Sequence, residues 1–596
     1  MFIHLLDDYP FSYFRITMLN DCFKGGKKMA IQFNKCVQLR DLRELISYST
    51  KKYGTKTAFK EIDEKHEITE HTFNELKSDS EALGARLIAE GMKGRHIALI
   101  GGNSYNYVVC YLATVNWVGV IVPIDKEMLC EDIIKLLNKS NSEGIFFSDS
   151  VSSIIPYILE QCPDISFTVN ISPAARCSLY PCLKEIISSG QELIDQGKTD
   201  FLNMYLDENK LCTILFTSGT TGANKGVMLC HRNITACLFG AMSLIVVPET
   251  SFSVLPINHA YEFNIHVLGT IYGGAAMCFN NSIKHVKDNL KIFKPHMSVM
   301  VPMIVDSLYT GIWKEAEKNG LAGHLRFGIM FSKIVRKIGI DNRRLLFYPI
   351  YNSLGGNLRT IVCGGAPLNP ELIRGFDDIG ISVYNGYGIT ECSPLISSNS
   401  PVFNCPGSVG VVVPGCEVRI GDINPDGIGE IQVRGKNVML GYYKDDEATI
   451  QSFTQDGWFK TGDLGYMKKG GIIYITGRAK NLIILSNGKN IHPEELEEHL
   501  VNCIPYIREV VVFSQVDGKG NDCTITALAF LDEQFTCEVG MNKAQQIFAD
   551  DVNKVNKHLA AYKRIAVAKI REAEFEKTTT KKIKRNNINL GVSKNA

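Results

Sequence analysis

Eighteen cysteines are scattered through this chain of 596 residues, yet no two are spaced C-x-x-C. A zinc cluster or a disulfide framework needs regular spacing, so neither is expected. Cys110, Cys212 and Cys363 lie inside apolar runs, where a reduced thiol behaves as a small hydrophobe, and the pattern points to a reducing cytoplasm. Charge of one sign is missing too. Lys and Arg total 64 against 63 for Asp and Glu, which removes any global electrostatic case for nucleic acid or an anionic membrane. No clean apolar run reaches the ~20 residues of a membrane span. The nearest, "YVVCYLATVNWVGVIVPI" at 107–124, is interrupted by Asn116, Gly119 and Pro123 and reads as a buried helix running into a buried strand, so no transmembrane segment is expected. There is no internal repeat, no low-complexity linker, and no basic, apolar and small-residue succession of a secretory signal at the start.

What is present is a globular composition, 45% hydrophobic and 21% charged. A chain this long exceeds one ordinary core, so at least two domains are expected. The stretch "KGGKKM" at 24–29 back-translates into a purine-rich ribosome-binding site followed by a start codon. That predicts a bacterial gene starting at Met29, with 1–28 a non-native or disordered extension; a flexible N-terminal arm is the alternative.

From about residue 36 to 475 helical and strand-like stretches alternate. "FNELKSDSEALGARLIAEG" places Phe73, Leu76, Leu83, Leu87 and Ile88 at helical spacing. Continuous apolar runs such as "HIALIGG", "GVIVPI", "GIFFSD", "CTILFTSG", "LRTIVCGG" and "ISVYNGYG" read as strands buried on both faces. The fold class is therefore α/β, with layered and largely parallel sheets. "CEVRIGDINPDGIGEIQVRG" changes texture and reads as an antiparallel, barrel-like hairpin region around Asn-Pro-Asp-Gly. Beyond it, Pro493 opens a helix in "HPEELEEHL", and "REVVVFSQ" and "TITALAFL" are strands followed by a helix near 543–560. The expected division is a large domain at 29–479 and a small α+β domain at 480–596, joined by a short hinge near 478–481.

One loop raises the chemical question. In "LCTILFTSGTTGANKGV" an apolar strand opens into Thr217, Ser218, Gly219, Thr220, Thr221 and Gly222, with Lys225 close behind. The Walker pattern G-x-x-x-x-G-K-[ST] fails here, since the sixth position is Asn224 from Gly219 and Val227 from Gly222. The physics survives the failed pattern: glycines let backbone approach an anion, hydroxyls and N–H groups donate to it, and a lysine adds charge. Taken alone, such a loop is also an ordinary flexible turn. Other glycine-rich loops stand beside it. "YNGYGITE" at 384–391 offers an aromatic face, a hydroxyl and a carboxylate suited to a purine, a phosphate and a metal ion. "VCGGAPL" at 362–368 gives a close-approach backbone, and "WFKTGDLG" sets Asp463 where it can accept from ribose hydroxyls.

In order and spacing, "LFTSGTTGANKGV", "NGYGITE", "GEIQVRGKNVMLGYY", "WFKTGDLG" and "GRAKNLIILSNGKNIHPEELE" resemble the motifs of the adenylate-forming acyl-CoA synthetases, a family that includes luciferases and peptide-synthetase adenylation domains. "VLPINHAYEF" and "LFYPIYNSLGGNLRTIVCGGAPL" look most like the medium- and long-chain fatty acid branch. The resemblance spans roughly 36–590. It implies a large adenylate-forming domain and a small mobile C-terminal lid. It also implies an acid–thiol ligase using ATP, Mg2+, coenzyme A and a carboxylic acid, or an acyl carrier protein as thiol donor, with no nucleic acid.

Carried over by position, the resemblance implies that the loop from Thr217 to Gly222 with Lys225 wraps the β- and γ-phosphates. Gly364, Gly365, Ala366 and Pro367 would line adenine, with Tyr387 on its face among Asn385, Gly386 and Gly388. Thr390 would touch the α-phosphate, Glu391 would hold Mg2+, and Asp463 with Arg478 would take the ribose. His259 would stand near the acyl carboxylate, Lys480 would be the pivot, and Gly488 would lie along the pantetheine arm. "KTTTKKIKRNN" aligns with the family's last motif and gives Lys582 as the catalytic lysine, although Glu576 replaces a proline and Lys581 a glycine, which leaves the register open. Three rivals are an acyl carrier protein acceptor, amino-acid adenylation, which the order of Glu262 and Phe263 disfavours, and a non-catalytic nucleotide-binding protein.

Overall fold

The computed structural model describes residues 14–15, 32–63, 65–173, 179–218, 224–485, 490–516, 523–577 and 583–585. The chain forms two compact units. The first takes Met1–Glu417, Val433–Phe459 and Lys469–Ile472, and the second takes Val418–Gln432, Lys460–Lys468 and Ile473–Ala596. The chain thus visits the second unit twice before committing to it.

The first unit is built on two large sheets. In one the strands run Gly441–Tyr442, Asn224–Cys230, Leu211–Ser218, Val120–Ile124, His96–Ile100, Ser142–Phe147 and Phe167–Asn170. From Leu211–Ser218 onward neighbours are parallel, while Asn224–Cys230 returns antiparallel to form a hairpin. The other sheet carries Thr250–Ser253, Ala276–Phe279, Met297–Met300 and Thr360–Cys363 in parallel, with Ser382–Gly388 beside the last. These are the continuous apolar runs of the sequence, buried on both faces as a helix-covered parallel sheet requires.

Local chemistry explains the elements that frame the site. The helix Phe73–Ala89 starts at a capping box in which Thr72 accepts from the Glu75 amide and Glu75 accepts from the Thr72 amide. It buries Phe73, Leu76, Leu83 and Leu87. The segment around 107–124 is a buried helix, Tyr105–Ala113, that widens into a π-turn at Thr114–Val118 and passes into the strand Val120–Ile124. The tight passage depends on Gly119, where an added Cβ would stand 2.3 Å from the Arg95 carbonyl oxygen. Among the described residues no helix is long and apolar enough to cross a membrane.

The second unit's first segment, Val418–Gln432, takes in most of the strands Cys416–Gly421 and Gly429–Gly435, which are sheet neighbours. Their turn is closed by the Asn424 amide donating to the Ile428 carbonyl at 2.8 Å. Then comes a small α+β body. Ile507–Val516 pairs antiparallel with Cys523–Leu531, which pairs in parallel with Val567–Arg571. The helices Pro493–Cys503 and Met541–Asn556 bring Leu496, Leu500, Phe548 and Val552 into its core. Burial of each such side chain contributes on the order of 1.5–3 kcal/mol. The chain is thus α/β, with a large N-terminal sheet region and a small C-terminal α+β body.

Candidate active site

The hairpin strands Leu211–Ser218 and Asn224–Cys230 pair from Ser218 with Asn224 and from Thr217 with Lys225. Gly219, Thr220, Thr221, Gly222 and the side chain of Ser218 lie outside the described residues. Gly226 is closely surrounded: a Cβ would stand 3.1 Å from Ile214 and Phe216 and 3.3 Å from Tyr443. The short strand Gly441–Tyr442 zips onto the outer edge of this hairpin: the Leu440 amide donates to Met228 at 2.9 Å and the Tyr443 amide to Gly226 at 2.7 Å. The Met439 amide donates to the Glu391 carbonyl at 2.8 Å, tying the same segment to the second sheet.

That stitching brings three side chains together. The Lys225 ammonium sits 4.7 Å from the centre of the Tyr442 ring, and the Tyr442 hydroxyl donates to Glu391 Oε1 at 2.9 Å. Burial, and then the charge of Glu391, push the Tyr442 phenol well above its ordinary value. The phenol therefore stays protonated and acts as a fixed donor that orients one carboxylate oxygen. Tyr442 was not singled out from the sequence. It sits in "LGYY", where a tyrosine beside another tyrosine gives no sign of which ring turns inward.

Glu391 and Thr390 occupy a single 3-10 turn, Thr390–Cys392, directly after the strand Ser382–Gly388. At Gly388 a Cβ would lie 2.1 Å from the Pro394 carbonyl oxygen, so no side chain fits there. Asn385 pairs with Cys363 in the neighbouring strand, and its carbonyl accepts from the Asn399 amide and side chain at 2.9 and 3.1 Å. Its side-chain Oδ1 is buried with no protein donor among the described residues. Tyr387 is buried in the same strand.

Gly364 follows the strand Thr360–Cys363, and an added Cβ would meet both the Gly386 carbonyl and the Tyr261 ring at 3.2 Å. Gly365 adopts φ +86°, and Gly365, Ala366 and Pro367 are exposed. Tyr261, also unpredicted, joins this edge to the His259 loop: its hydroxyl donates to the Val362 carbonyl at 3.3 Å. His259 is half-buried, and its carbonyl accepts from the Phe263 amide at 2.9 Å, starting the π-helix Tyr261–Val267.

Beneath that helix lies a buried polar relay that charge-based reading of the sequence does not reveal. Ser251 Oγ stands 2.6 Å from His266 Nε2, His266 Nδ1 lies 3.0 Å from Glu262 Oε1, and the Ser253 hydroxyl donates to the same oxygen at 2.5 Å. Asn103 donates to Ser253 Oγ at 2.9 Å and accepts from the Ile257 amide at 3.0 Å, which clamps the loop leading to His259.

In the second unit, Arg478 Nε meets Asp463 Oδ1 at 2.7 Å, and the Asp463 amide donates to Thr461 Oγ1 at 3.1 Å. Gly462 adopts φ +71°, and its amide donates to Glu430 Oε1 at 3.0 Å. Asp463 is thus buried with one edge held by a half-exposed guanidinium. Lys480 stands in the turn Ala479–Asn481, where burial, followed by the charges of Arg478 and Arg585, lowers the pKa of its ammonium. Gly488 and Lys582 lie outside the described residues. Of the described residues on either side, Lys577 bridges to Ile583, and the Lys577 ammonium pairs with Glu509 and Glu574.

Two family models match the chain: "AMP-binding enzyme" over residues 46–443 and "AMP-binding enzyme C-terminal domain" over 480–590. A peroxisomal long chain acyl-CoA synthetase 7 of Arabidopsis thaliana is 32% identical over 459 residues, 72% of this chain and 65% of that protein. The chain therefore spans about two thirds of that relative's length. A chloroplastic long-chain-fatty-acid–[acyl-carrier-protein] ligase of the same plant is 27% identical over 548 residues, 78% of this chain and 74% of the relative. Among solved structures, an anthranilate CoA ligase in complex with anthranoyl-AMP aligns at TM-score 0.72 and 19% identity, covering 92% of this chain and 97% of its own. The o-succinylbenzoate coenzyme A synthetase of Bacillus subtilis with ATP and magnesium ion aligns at 0.68 and 22%, covering 91% and 98%. At those identities the structural likeness is one of fold.

Proposed function

This chain belongs to the AMP-binding enzyme family, and from that membership we propose that it is an ATP-dependent acid–thiol ligase acting on a medium- or long-chain fatty acid. A carboxylate oxygen attacks the α-phosphorus of ATP, the bond to the β-phosphate oxygen breaks, and pyrophosphate leaves. The thiol of coenzyme A, losing its proton, then attacks the acyl carbon of the adenylate and AMP leaves. The observation that carries this reading is the convergence of Lys225, Tyr442 and Glu391 near the end of the hairpin where its two strands are joined.

The first step brings two anions together, so positive charge has to stand where the repulsion develops. Lys225 supplies part of it beside the candidate phosphate loop. Lys582 is the proposed second cation, at the α-phosphate and the incoming carboxylate. Holding both reactants in line removes much of the entropic barrier. Gly364 and Gly386 leave an edge without side chains where the adenine would lie, and the unpartnered Asn385 Oδ1 offers it an acceptor. Asp463 and Arg478 are proposed for the ribose.

Among the described residues no group of three His, Cys, Asp or Glu side chains could hold a metal ion. A lone carboxylate, Glu391, held by Tyr442 through one oxygen, suits Mg2+ that arrives with the phosphates and keeps several waters. Glu391 would hold the ion, which would supply charge neutralisation at the phosphates. Tyr442 holds one Glu391 oxygen in a fixed direction.

The names of the relatives favour fatty acids, and one of them favours a second acceptor: the chloroplastic relative is named as a ligase to acyl carrier protein, whose arm ends in the same thiol. An amino-acid substrate is disfavoured, because Glu262, the acidic residue nearest to the position that would hold an ammonium, is fully buried and engaged by Ser253 and His266. The test is ATP–pyrophosphate exchange over a panel of fatty, aromatic and amino acids, followed by product analysis with coenzyme A or carrier protein. Exchange with C8–C18 acids and thioester formation on coenzyme A are expected. Absence of exchange with every acid, in folded protein with Mg2+, would leave only nucleotide binding.

A further inference from the structure

The π-helix Tyr261–Val267 places Glu262, Asn264 and His266 inside the first unit, at 0%, 1% and 2% exposure. Buried polar side chains are costly unless each finds a partner. Here the partners lie on different elements. Glu262 and His266 are tied to one another at 3.0 Å and to Ser253 and Ser251 of the strand Thr250–Ser253. Asn264 Nδ2 donates to the Ser393 carbonyl at 3.2 Å, and the Ser393 amide donates back to the Thr390 carbonyl at 3.0 Å, closing the turn Thr390–Cys392. The aromatic residues are engaged as well. The Phe263 and Tyr111 ring centres are 3.8 Å apart, and the Tyr111 hydroxyl is 2.8 Å from Thr213 Oγ1, in the strand that opens into the candidate phosphate loop. Tyr261 adds its bond to the Val362 carbonyl, two residues before Gly364.

One helix therefore joins the elements that carry all three loops proposed for the nucleotide. It also begins at the loop proposed for the acid, where the His259 carbonyl accepts from the Phe263 amide. A wide π-turn has unusual hydrogen-bond geometry and recurs at functional sites. An apolar pair of similar volume in place of Glu262 and His266 would hold a core about as well, so stability by itself does not account for them. Hydrogen bonds add direction, fixing a distance and an angle where apolar contact lets elements slide. On the ligase reading above, we propose that Asn264 is a positioning residue for adenylate formation, and that Glu262 and His266 lock the helix from which it acts. Asn264 works through the Ser393 backbone, holding the turn that carries Thr390 and Glu391. The same helix holds the His259 loop, so acid and triphosphate meet at one fixed separation. Thioester formation follows the departure of pyrophosphate and asks less of that turn.

The experiment compares two half-reactions of the full chain in Asn264→Leu, which keeps the volume and removes the donor. One is pyrophosphate exchange with a fatty acid; the other is thioester formation from a supplied acyl-adenylate and coenzyme A. Misplacing a reacting group by about 1 Å can cost about 10²-fold, so exchange is expected to fall about ten- to a hundredfold through kcat. Thioester formation should stay within about threefold of wild type, at an unchanged melting temperature, which a general structural defect would not produce. Ser251→Ala takes one oxygen away from His266 and should lower exchange severalfold with the same selectivity. It decides the outcome if Asn264→Leu does not fold. Equal loss in both half-reactions, or exchange at the wild-type level in the folded variants, overturns the proposal. A wild type that exchanges with no acid fails differently, since it removes the ligase reading itself and this role with it.

Discussion

Tyr442 stands between a lysine and a glutamate, so its two contacts can be separated by substitution. Tyr442→Phe keeps the ring under Lys225 and removes only the hydroxyl bond to Glu391. A hydrogen bond to a charged group contributes about 1.5–3 kcal/mol, so kcat/KM in pyrophosphate exchange is expected to fall ten- to a hundredfold. Glu391→Gln should cost about 10²–10³, by analogy with loss of one transition-state charge stabiliser. A Phe variant as active as the wild type would remove Tyr442 from the site.

A second single residue sets a pH dependence of stability. His231 is buried, accepts from the Leu42 amide at Nδ1 (3.2 Å) and lies 2.9 Å from the Val115 carbonyl at Nε2. It is therefore neutral, with its proton on Nε2, and burial lowers its pKa to about 4. Below the unfolded value of 6.5 the unfolded chain takes up a proton that the folded one refuses. Stability is thus full above about pH 6.5 and is lost as pH falls towards 4, by up to roughly 3 kcal/mol. Denaturant midpoints of wild type and His231→Gln at pH 7.5 and 5 check this: the variant should show a smaller drop between them.

At the scale of elements, the junction of Ser382–Gly388 with the turn Thr390–Cys392 is the most constrained part of the site. Gly388→Ala would drive a Cβ into the Pro394 carbonyl, a backbone atom that cannot step aside. A loss of about 3 kcal/mol in stability is expected, with adenylation lost beyond it, and a melting curve measures the first separately. The same scale shows what was legible. "CTILFTSG" and "YNGYGITE" announced themselves because a strand buried on both faces is continuously apolar and the loop after it is rich in glycine. The run at 107–124 was resolved by Gly119 and Pro123. The π-helix Tyr261–Val267 was not legible, because Glu262 and His266 look solvent-facing in a sequence and become core residues only when Ser251, Ser253 and Asn103 supply partners.

At the scale of the whole molecule, the family's first matched segment ends at 443 and its second begins at Lys480, which stands in the short turn Ala479–Asn481. The two half-reactions place different demands on the second unit, so they should fail separately. Lys582→Ala is expected to abolish adenylate formation and to spare thioester formation from a supplied acyl-adenylate, whereas Lys480→Pro, by fixing one backbone angle at the proposed pivot, should do the reverse. Equal loss in both half-reactions for both variants would reject a scheme in which the C-terminal unit takes two positions.

All of this depends on the acid's own oxygen reaching the α-phosphorus. Turnover of a fatty acid labelled with oxygen-18 in its carboxylate, with mass analysis of the nucleotide product, reads that step directly. The account predicts one labelled oxygen in each AMP released and none in pyrophosphate. Unlabelled AMP, or label appearing in phosphate or pyrophosphate, would contradict it.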